Sequence, residues 1–354
     1  MNTNLNIIKN QFSNLIFKWY KVNKRDLPWR IKNQKEVDPY KIWVSEIMLQ
    51  QTTVKAVIPY YKNFLEKWPN ICDLANSPKF EILEFWSGLG YYSRANNLYN
   101  CAKIICSDFG GKFPSNESQL IQLPGIGLYT SAAISAIAFG KRAIVIDTNI
   151  RRIISRVFLV KDKLKNRDKK IRESLDLVTP YTKCYEFPQA LMDIGSEICK
   201  HKSPKCEICP LSKICISFKY SQVNEISNLK RKIKKPIRKG KAFIIIYKNQ
   251  VLMEKRKTNG LLPGMSFIPT SDWDGTNNNN HFFKEKIKNL KSYEIVNHEF
   301  SHFKLQMQIY IIKVIDHKPF FNSKKEYFWL DKEKLNNLKM TTLLKKIFIK
   351  IKLI

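Results

Sequence analysis

The chain has no apolar run long enough to span a bilayer, which excludes a helical membrane span. Met1 to Asn10 is mostly polar and lacks the charged-then-apolar order of a secretory signal, so a soluble cytoplasmic protein is expected. No internal repeat is visible. Acidic residues are scarce: 30 Asp and Glu stand against 62 Lys and Arg, a net charge of +32. Such a surplus favours a polyanionic partner, nucleic acid before membrane. Part of it reflects the Lys-, Asn- and Ile-rich usage of an AT-rich genome. At 354 residues the chain is long enough for two domains with real cores.

The first 220 residues carry no convincing strand pattern and read as all-α. Ile7 to Tyr20 has its apolar residues at helical spacing, and Pro39-Tyr40-Lys41 opens a helix read as Ile42 to Ala56. Glu46 lies there among Ile42, Val44, Ile47, Met48 and Leu49, where a carboxylate needs a partner or a job. Further helices are expected over Val57 to Trp68, Phe80 to Trp86, Ile171 to Thr179 and Phe187 to Cys199. In Gly88-Leu89-Gly90-Tyr91-Tyr92-Ser93-Arg94, glycines precede two rings and a guanidinium, a set suited either to unstacked bases or to aromatic packing.

Leu123 to Arg152 organises this half. The turn Leu123-Pro124-Gly125-Ile126-Gly127 leads into a helix of small residues, Ala132, Ala133, Ser135, Ala136 and Ala138. A short apolar run then delivers Asp147-Thr148-Asn149 to the next helix, which carries Arg151 and Arg152. A helix start with free amides suits a phosphate; the plain alternative is a buried hairpin with Asp147 as an N-cap.

Of eight cysteines, Cys72, Cys101, Cys106 and Cys184 read as buried thiols. Cys199, Cys206, Cys209 and Cys215 share one short basic loop, a metal-binding pattern that Zn or an iron–sulfur cluster satisfies equally. Residues 221–241 form a basic linker with Lys230, Arg231, Lys232, Lys234, Lys235, Arg238, Lys239 and Lys241. Beyond it the pattern turns α+β: a hairpin over Phe243 to Glu254, strands at Gln306 to Ile315 and Tyr327 to Leu330, and a closing helix from Leu343 to Ile354. Asn277 to Asn280 reads as a disordered loop.

Leu-Pro-Gly-Ile-Gly with an Asp some twenty residues on resembles the helix-hairpin-helix signature of base-excision DNA glycosylases, and the four-cysteine spacing resembles the endonuclease III-like branch. Ser45-Glu46-Ile47-Met48-Leu49-Gln50-Gln51-Thr52, the Gly88 to Tyr92 stretch and His298-Glu299-Phe300-Ser301-His302 are similar to adenine DNA glycosylases of the MutY type. The resemblance covers nearly the whole chain. It implies a multidomain protein: an all-α glycosylase domain over 1–220, the linker 221–241, and an α+β Nudix-like domain over 242–354. It also implies a 4Fe–4S cluster on Cys199, Cys206, Cys209 and Cys215. The partner would be duplex DNA holding adenine opposite 8-oxoguanine or guanine. A monomer in the bacterial cytoplasm, associated with the nucleoid and not with a membrane, is expected.

By the same resemblance Glu46 is the acid that protonates the flipped adenine and then assists water. Asp147 stabilises the oxocarbenium-like sugar, giving a transient covalent adduct, while Tyr129 and Asn149 orient the two acids. Gln51 and Tyr91 would fill the helix beside 8-oxoguanine, Gly125 and Gly127 would approach the phosphate, and Phe300, Ser301 and His302 would read 8-oxoguanine. Lyase-active relatives carry a Lys where this chain has Tyr129, so the resemblance implies a monofunctional glycosylase. No glutamate-rich Nudix box occurs in 240–354, so the C-terminal domain should bind without hydrolysing. The chain departs from the family at Thr148, where Gly is usual, at Gly264-Met265-Ser266-Phe267-Ile268-Pro269, and in extra residues around Asn33 to Val37. Two rivals stay open: an endonuclease III-like enzyme for pyrimidine lesions, and a non-catalytic iron–sulfur DNA-binding protein.

Overall fold

The structure is a computed structural model of the chain and describes residues 2–30, 37–161, 164–227, 235–256, 262, 264–271, 292–300, 302–315, 326–338 and 340–354. The chain divides into two compact units, Met1–Asn76 with Asn97–Arg231, and Ser77–Asn96 with Lys232–Ile354. Ser77–Asn96, read from sequence as part of the helical half, thus clusters with the C-terminal residues.

Among the described residues no strand precedes Ile237. Helix α1 (Asn2–Asn23) seats Ile8, Phe12 and Ile16 in the core at helical spacing. Helix α2 (Pro39–Leu49) begins with a proline, whose fixed φ suits a first turn, and is capped by the Asp38 side chain. The sequence reading carried this helix to Ala56. Instead it stops at Leu49, Gln51 takes a left-handed φ of 59°, and α3 (Val54–Lys67) restarts on Thr53, whose side chain accepts from the Ala56 amide.

There follow α4 (Ile71–Asn76), α5 (Lys79–Phe85), α6 (Ser93–Asp108), α7 (Glu117–Leu120), α8 (Leu128–Ile137), α9 (Thr148–Val157), α10 (Leu164–Val178), α11 (Glu186–Glu197), α12 (Ile216–Lys219) and α13 (Val223–Ser227). Every residue of α8 from Thr130 to Ile137 is buried, and its small side chains let α2 and α11 pack close against it. α11 also packs on α9. Cys72 on α4 and Cys106 on α6 are not lone buried thiols but a half-exposed disulfide, with Cα atoms 5.4 Å apart. Cys101 and Cys184 are free and buried.

The second unit is built on a six-stranded sheet: β1 (Ile237–Tyr247), β2 (Gln250–Lys255), β3 (Ser266–Phe267), β4 (Glu294–Glu299), β5 (Lys304–Lys313) and β6 (Glu326–Asp331). The order is β3-β2-β1-β5-β4, with β6 also on β2; β1 and β5 run parallel and the other pairs antiparallel. Helix α14 (Thr342–Lys350), capped by Thr341, lays Leu343, Leu344, Ile347 and Phe348 on the core formed by Ala242, Ile244, Met253, Phe267 and Met307. Each such side chain contributes about 1.5–3 kcal/mol on burial.

β1 starts inside the stretch read as linker, because pairing with β5 runs from Ile237↔Lys304 onward and absorbs its basic residues into a ladder. β4 has no counterpart in the sequence reading. Residues 33–36, 228–234, Asn277 to Asn280 and Ser301 lie outside the described residues.

Candidate active site

A cavity of about 580 Å³ in the first unit gathers Glu46, Gln51, Tyr129, Asp147, Thr148 and Asn149 with Trp29 and Arg30. Glu46 projects from the buried face of α2, and burial pushes its carboxyl from an ordinary 4.5 up to about 7. The Tyr129 hydroxyl donates to Glu46 Oε2 at 2.5 Å and opposes that rise, while Asp147 adds to it. Tyr129 is half-buried in the cavity wall, and desolvation with the neighbouring Glu46 and Asp147 carboxylates holds its phenol well above the usual range and hence protonated, a fixed donor.

Asp147 is the N-cap of α9: its Oδ1 accepts from the Ile150 amide at 2.6 Å. The plain capping role and a place at the cavity therefore coincide in one side chain. Burial raises the Asp147 carboxyl, and the Ile150 amide, Asn149 and Arg152 pull it back down. Asn149 Nδ2 donates to Asp147 Oδ2 at 3.0 Å, and Arg152 Nη2 donates to Asn149 Oδ1 at 2.8 Å. The same guanidinium donates to the Gly195 and Cys199 carbonyls, both at 2.6 Å. A connected set of hydrogen bonds thus runs from the cavity carboxylate to the first residue of the cysteine loop.

The sequence reading passed over a second polar cluster. Asp193, fully buried on α11, is bound by Arg25 and Arg30, each 2.6 Å from Oδ1. Arg30 Nη1 also donates to Gln189 Oε1 at 2.5 Å. These contacts lock Arg30 into the cavity wall, where its charge lowers the Glu46 carboxyl slightly. An acid within Ala190-Leu191-Met192-Asp193-Ile194 was the same signal as Glu46 and was available in the sequence.

The two glycines before α8 differ. Gly125 has φ +78°, and a Cβ there would stand 2.7 Å from Asn97 Cβ, so both conformation and packing require glycine. A Cβ at Gly127 would meet nothing within 4 Å, and no side chain caps the helix start behind it. Gln51 also lines this cavity on its left-handed backbone, a conformation costly outside glycine and common at working sites.

Cys199, Cys206, Cys209 and Cys215 surround a pocket walled also by apolar Ile153, Ile194, Leu211 and Phe218 and by the cationic Arg156 and Lys205. Burial pushes the Cys209 thiol up to about 12 and the Cys215 thiol to about 11, and raises Cys206. Burial thus disfavours the thiolate at these three, and a strongly cationic group bound among them would offset that cost. The fully buried Arg156 points Nη1 at Cys199 Sγ, 3.2 Å away, as a counter-charge to a thiolate set. Among the described residues no trio of His, Cys, Asp or Glu converges on a single-ion site. Four cysteines lining one pocket are a donor set that either zinc or an iron–sulfur cluster accepts.

In the second unit a cavity of about 440 Å³ brings Tyr91 together with His298, Phe300 and His302. Tyr91 is exposed on a left-handed backbone of φ 50°. Tyr92 and Arg94 turn inward instead: Arg94 is buried between the Trp86 and Tyr91 rings, donates to the Leu89 and Gly90 carbonyls, and is pushed down to about 10 by burial. That guanidinium therefore shapes the loop and is not presented outward. Phe300 stacks on Phe303 at 4.7 Å and meets His298 edge-on at 4.7 Å, and its amide donates to the Phe303 carbonyl, closing a turn whose far side carries the exposed His302. Gly264 stays glycine by its φ of +71°, with Leu83 Cδ1 3.1 Å from a would-be Cβ.

Residues 44–180 match the HhH-GPD superfamily of base excision DNA repair proteins, and residues 241–350 match the NUDIX domain. An adenine DNA glycosylase of Buchnera aphidicola subsp. Schizaphis graminum is 37% identical over 348 residues, which are 95% of this chain and 97% of that protein. The Homo sapiens adenine DNA glycosylase is 30% identical over 409 residues, 95% of this chain and 73% of that protein. Among solved structures, a thermostable thymine-DNA glycosylase superposes with a TM-score of 0.56 at 34% identity, covering 61% of this chain and 98% of that one. An endonuclease III–DNA complex shares the fold, with a TM-score of 0.50 at 22% identity over 60% of this chain and 97% of that one.

Proposed function

Since the chain belongs to the adenine DNA glycosylases, within the HhH-GPD superfamily, and acts as a DNA glycosylase in base excision repair, we propose that its substrate is adenine opposite 8-oxoguanine or guanine in duplex DNA. The observation that carries the mechanism is Glu46: buried, pushed up to about 7, and sharing with Asp147 a cavity of about 580 Å³ that could take an extruded nucleotide. A carboxyl poised near neutrality is partly protonated at working pH and gives its proton to the departing base. Tyr129 holds Glu46 in place. Asp147, fixed by Ile150, Asn149 and Arg152, supplies the negative charge beside the cationic sugar. Glu46, then ionised, takes the proton of the attacking water.

The reaction is monofunctional in this reading. Tyr129 stands where a Schiff-base amine would be needed, and among the described residues lining the cavity there is no lysine. Cys199, Cys206, Cys209 and Cys215 would hold a 4Fe–4S cluster, supplying a rigid clamp for the basic loop around Lys200, Lys202 and Lys205. Tyr91, Phe300 and His302 at the second cavity, with Ser301 between them in sequence, suit recognition of 8-oxoguanine. The enzyme works as a monomer on DNA in the nucleoid-containing compartment; among the described residues no helix is long and apolar enough to cross a membrane.

The test compares adenine release opposite 8-oxoguanine and opposite guanine under single turnover, for wild type and His302→Ala, with and without alkaline work-up. Faster release opposite 8-oxoguanine, a preference reduced in His302→Ala, and strand breaks seen only after alkali are expected. Equal rates opposite both bases overturn the 8-oxoguanine reading. Breaks without alkali, or release of an oxidised pyrimidine, favour the lyase branch.

A further inference from the structure

Gly195 occupies the last turn of α11, yet nothing in that helix asks for glycine. It has no left-handed φ, lies inside the helix and not beyond its end, and glycine is among the poorest residues for a helix interior. The reason lies on α9. A Cβ at 195 would stand 2.5 Å from Asn149 Cβ, 3.1 Å from its Cγ and 3.2 Å from its Cα. These are the root of a side chain and its backbone, which cannot swing aside, so the start of α9 itself would have to move. The Gly195 carbonyl meanwhile accepts from Arg152 Nη2, the group that also donates to Asn149 Oδ1.

We propose that Gly195 is a positioning residue for base excision: its missing side chain lets Asn149 seat against α11, and Asn149 in turn fixes Asp147 at the cavity. The proposal rests on the reading of Asp147 as the carboxylate beside the sugar. Asp147 and Asn149 sit in one turn of one helix, so a shift that relieves the overlap at Asn149 is carried to Asp147 almost whole. A displacement of about 1 Å at a reacting group is worth roughly 10²-fold in rate. DNA affinity depends on a much wider surface and is not expected to follow.

The experiment uses the full chain with its cluster and reads two quantities. One is the single-turnover rate of adenine release; the other is the dissociation constant for a duplex carrying an uncleavable abasic analogue opposite 8-oxoguanine. Gly195→Ala should lose roughly 10²-fold in rate while keeping its affinity. Asn149→Gly removes Cβ, the atom in closest overlap, and Cγ with it. It is slow in its own right, but adding Gly195→Ala to it should cost little more, so the two losses are not additive. A wild-type rate in Gly195→Ala overturns the proposal, as does an equal loss in both backgrounds. If Gly195→Ala does not fold, recovery of folding by Asn149→Gly supports the proposal, and failure to recover makes Gly195 a general packing residue and overturns it. Asp147→Asn separates the two levels. Full activity there overturns the reading of Asp147 and the proposal with it, whereas an inactive Asp147→Asn beside an additive pair overturns the proposal alone.

Discussion

Replacing Tyr129 by Phe removes one hydroxyl and leaves the ring that fills its place beside α2. The hydroxyl donates to Glu46 at 2.5 Å inside a buried site, so the bond favours the ionised carboxylate. A hydrogen bond to a charged group contributes about 1.5–3 kcal/mol. At about 1.4 kcal/mol per pH unit, its loss raises the Glu46 carboxyl by about one to two pH units, from about 7 to roughly 8 or 9. Glu46 must carry its proton to release adenine, so excision declines as pH rises through that value. In Tyr129→Phe the alkaline limb of the single-turnover rate therefore moves upward in pH by at least about one unit. The assay measures rates at saturating enzyme across roughly pH 6 to 10, with an uncatalysed duplex as baseline. An alkaline limb at the wild-type position in the variant refutes the reasoning: either Glu46 is not the titrating acid, or Tyr129 does not hold it.

The same burial fixes a stability dependence. Folded Glu46 keeps its proton up to about 7, whereas the unfolded chain releases it near 4.5, so the folded state binds more protons between those values. Its contribution is fully present below 4.5 and is lost by pH 7, about 3 kcal/mol in all, and Glu46→Gln should flatten this slope in denaturant titrations. Asp193→Ala leaves Arg25 and Arg30 without their buried counter-charge and should cost about 3–5 kcal/mol by chemical denaturation, more than any single exposed ion pair. Cys72→Ser opens a cross-link between residues 34 apart, which should lower stability under non-reducing conditions by about 4 kcal/mol and leave the fully reduced proteins alike.

Glu46 was legible in sequence because a carboxylate among five apolar neighbours on a helix has few innocent explanations, and Asp147 because an apolar run delivered it to a helix start. Asp193 carried the same signal as Glu46, but its meaning depends on Arg25 and Arg30, more than 160 positions away in the chain. The Cys72–Cys106 pairing is tertiary in the same way, with no local pattern to announce it. The break after Leu49 escaped notice because Gln51 takes a left-handed turn without a glycine or proline to mark it. β4 was missed because Glu-Ile-Val-Asn-His-Glu alternates weakly and is held as a strand by its partner β5. Arg94 stood between two alternatives, presentation to unstacked bases or aromatic packing, and only the fold decides for packing, since the Trp86 and Tyr91 rings enclose it. Gly195 could not be read from sequence at all, since its reason is a side chain on another helix.

The most direct measurement is the single-turnover rate of adenine release opposite 8-oxoguanine for wild type, Glu46→Gln and Asp147→Asn, with binding to the same duplex recorded alongside. Rapid release by wild type, and loss of release in both variants with binding retained, is the predicted result. Undiminished release by Glu46→Gln would contradict the account at its centre.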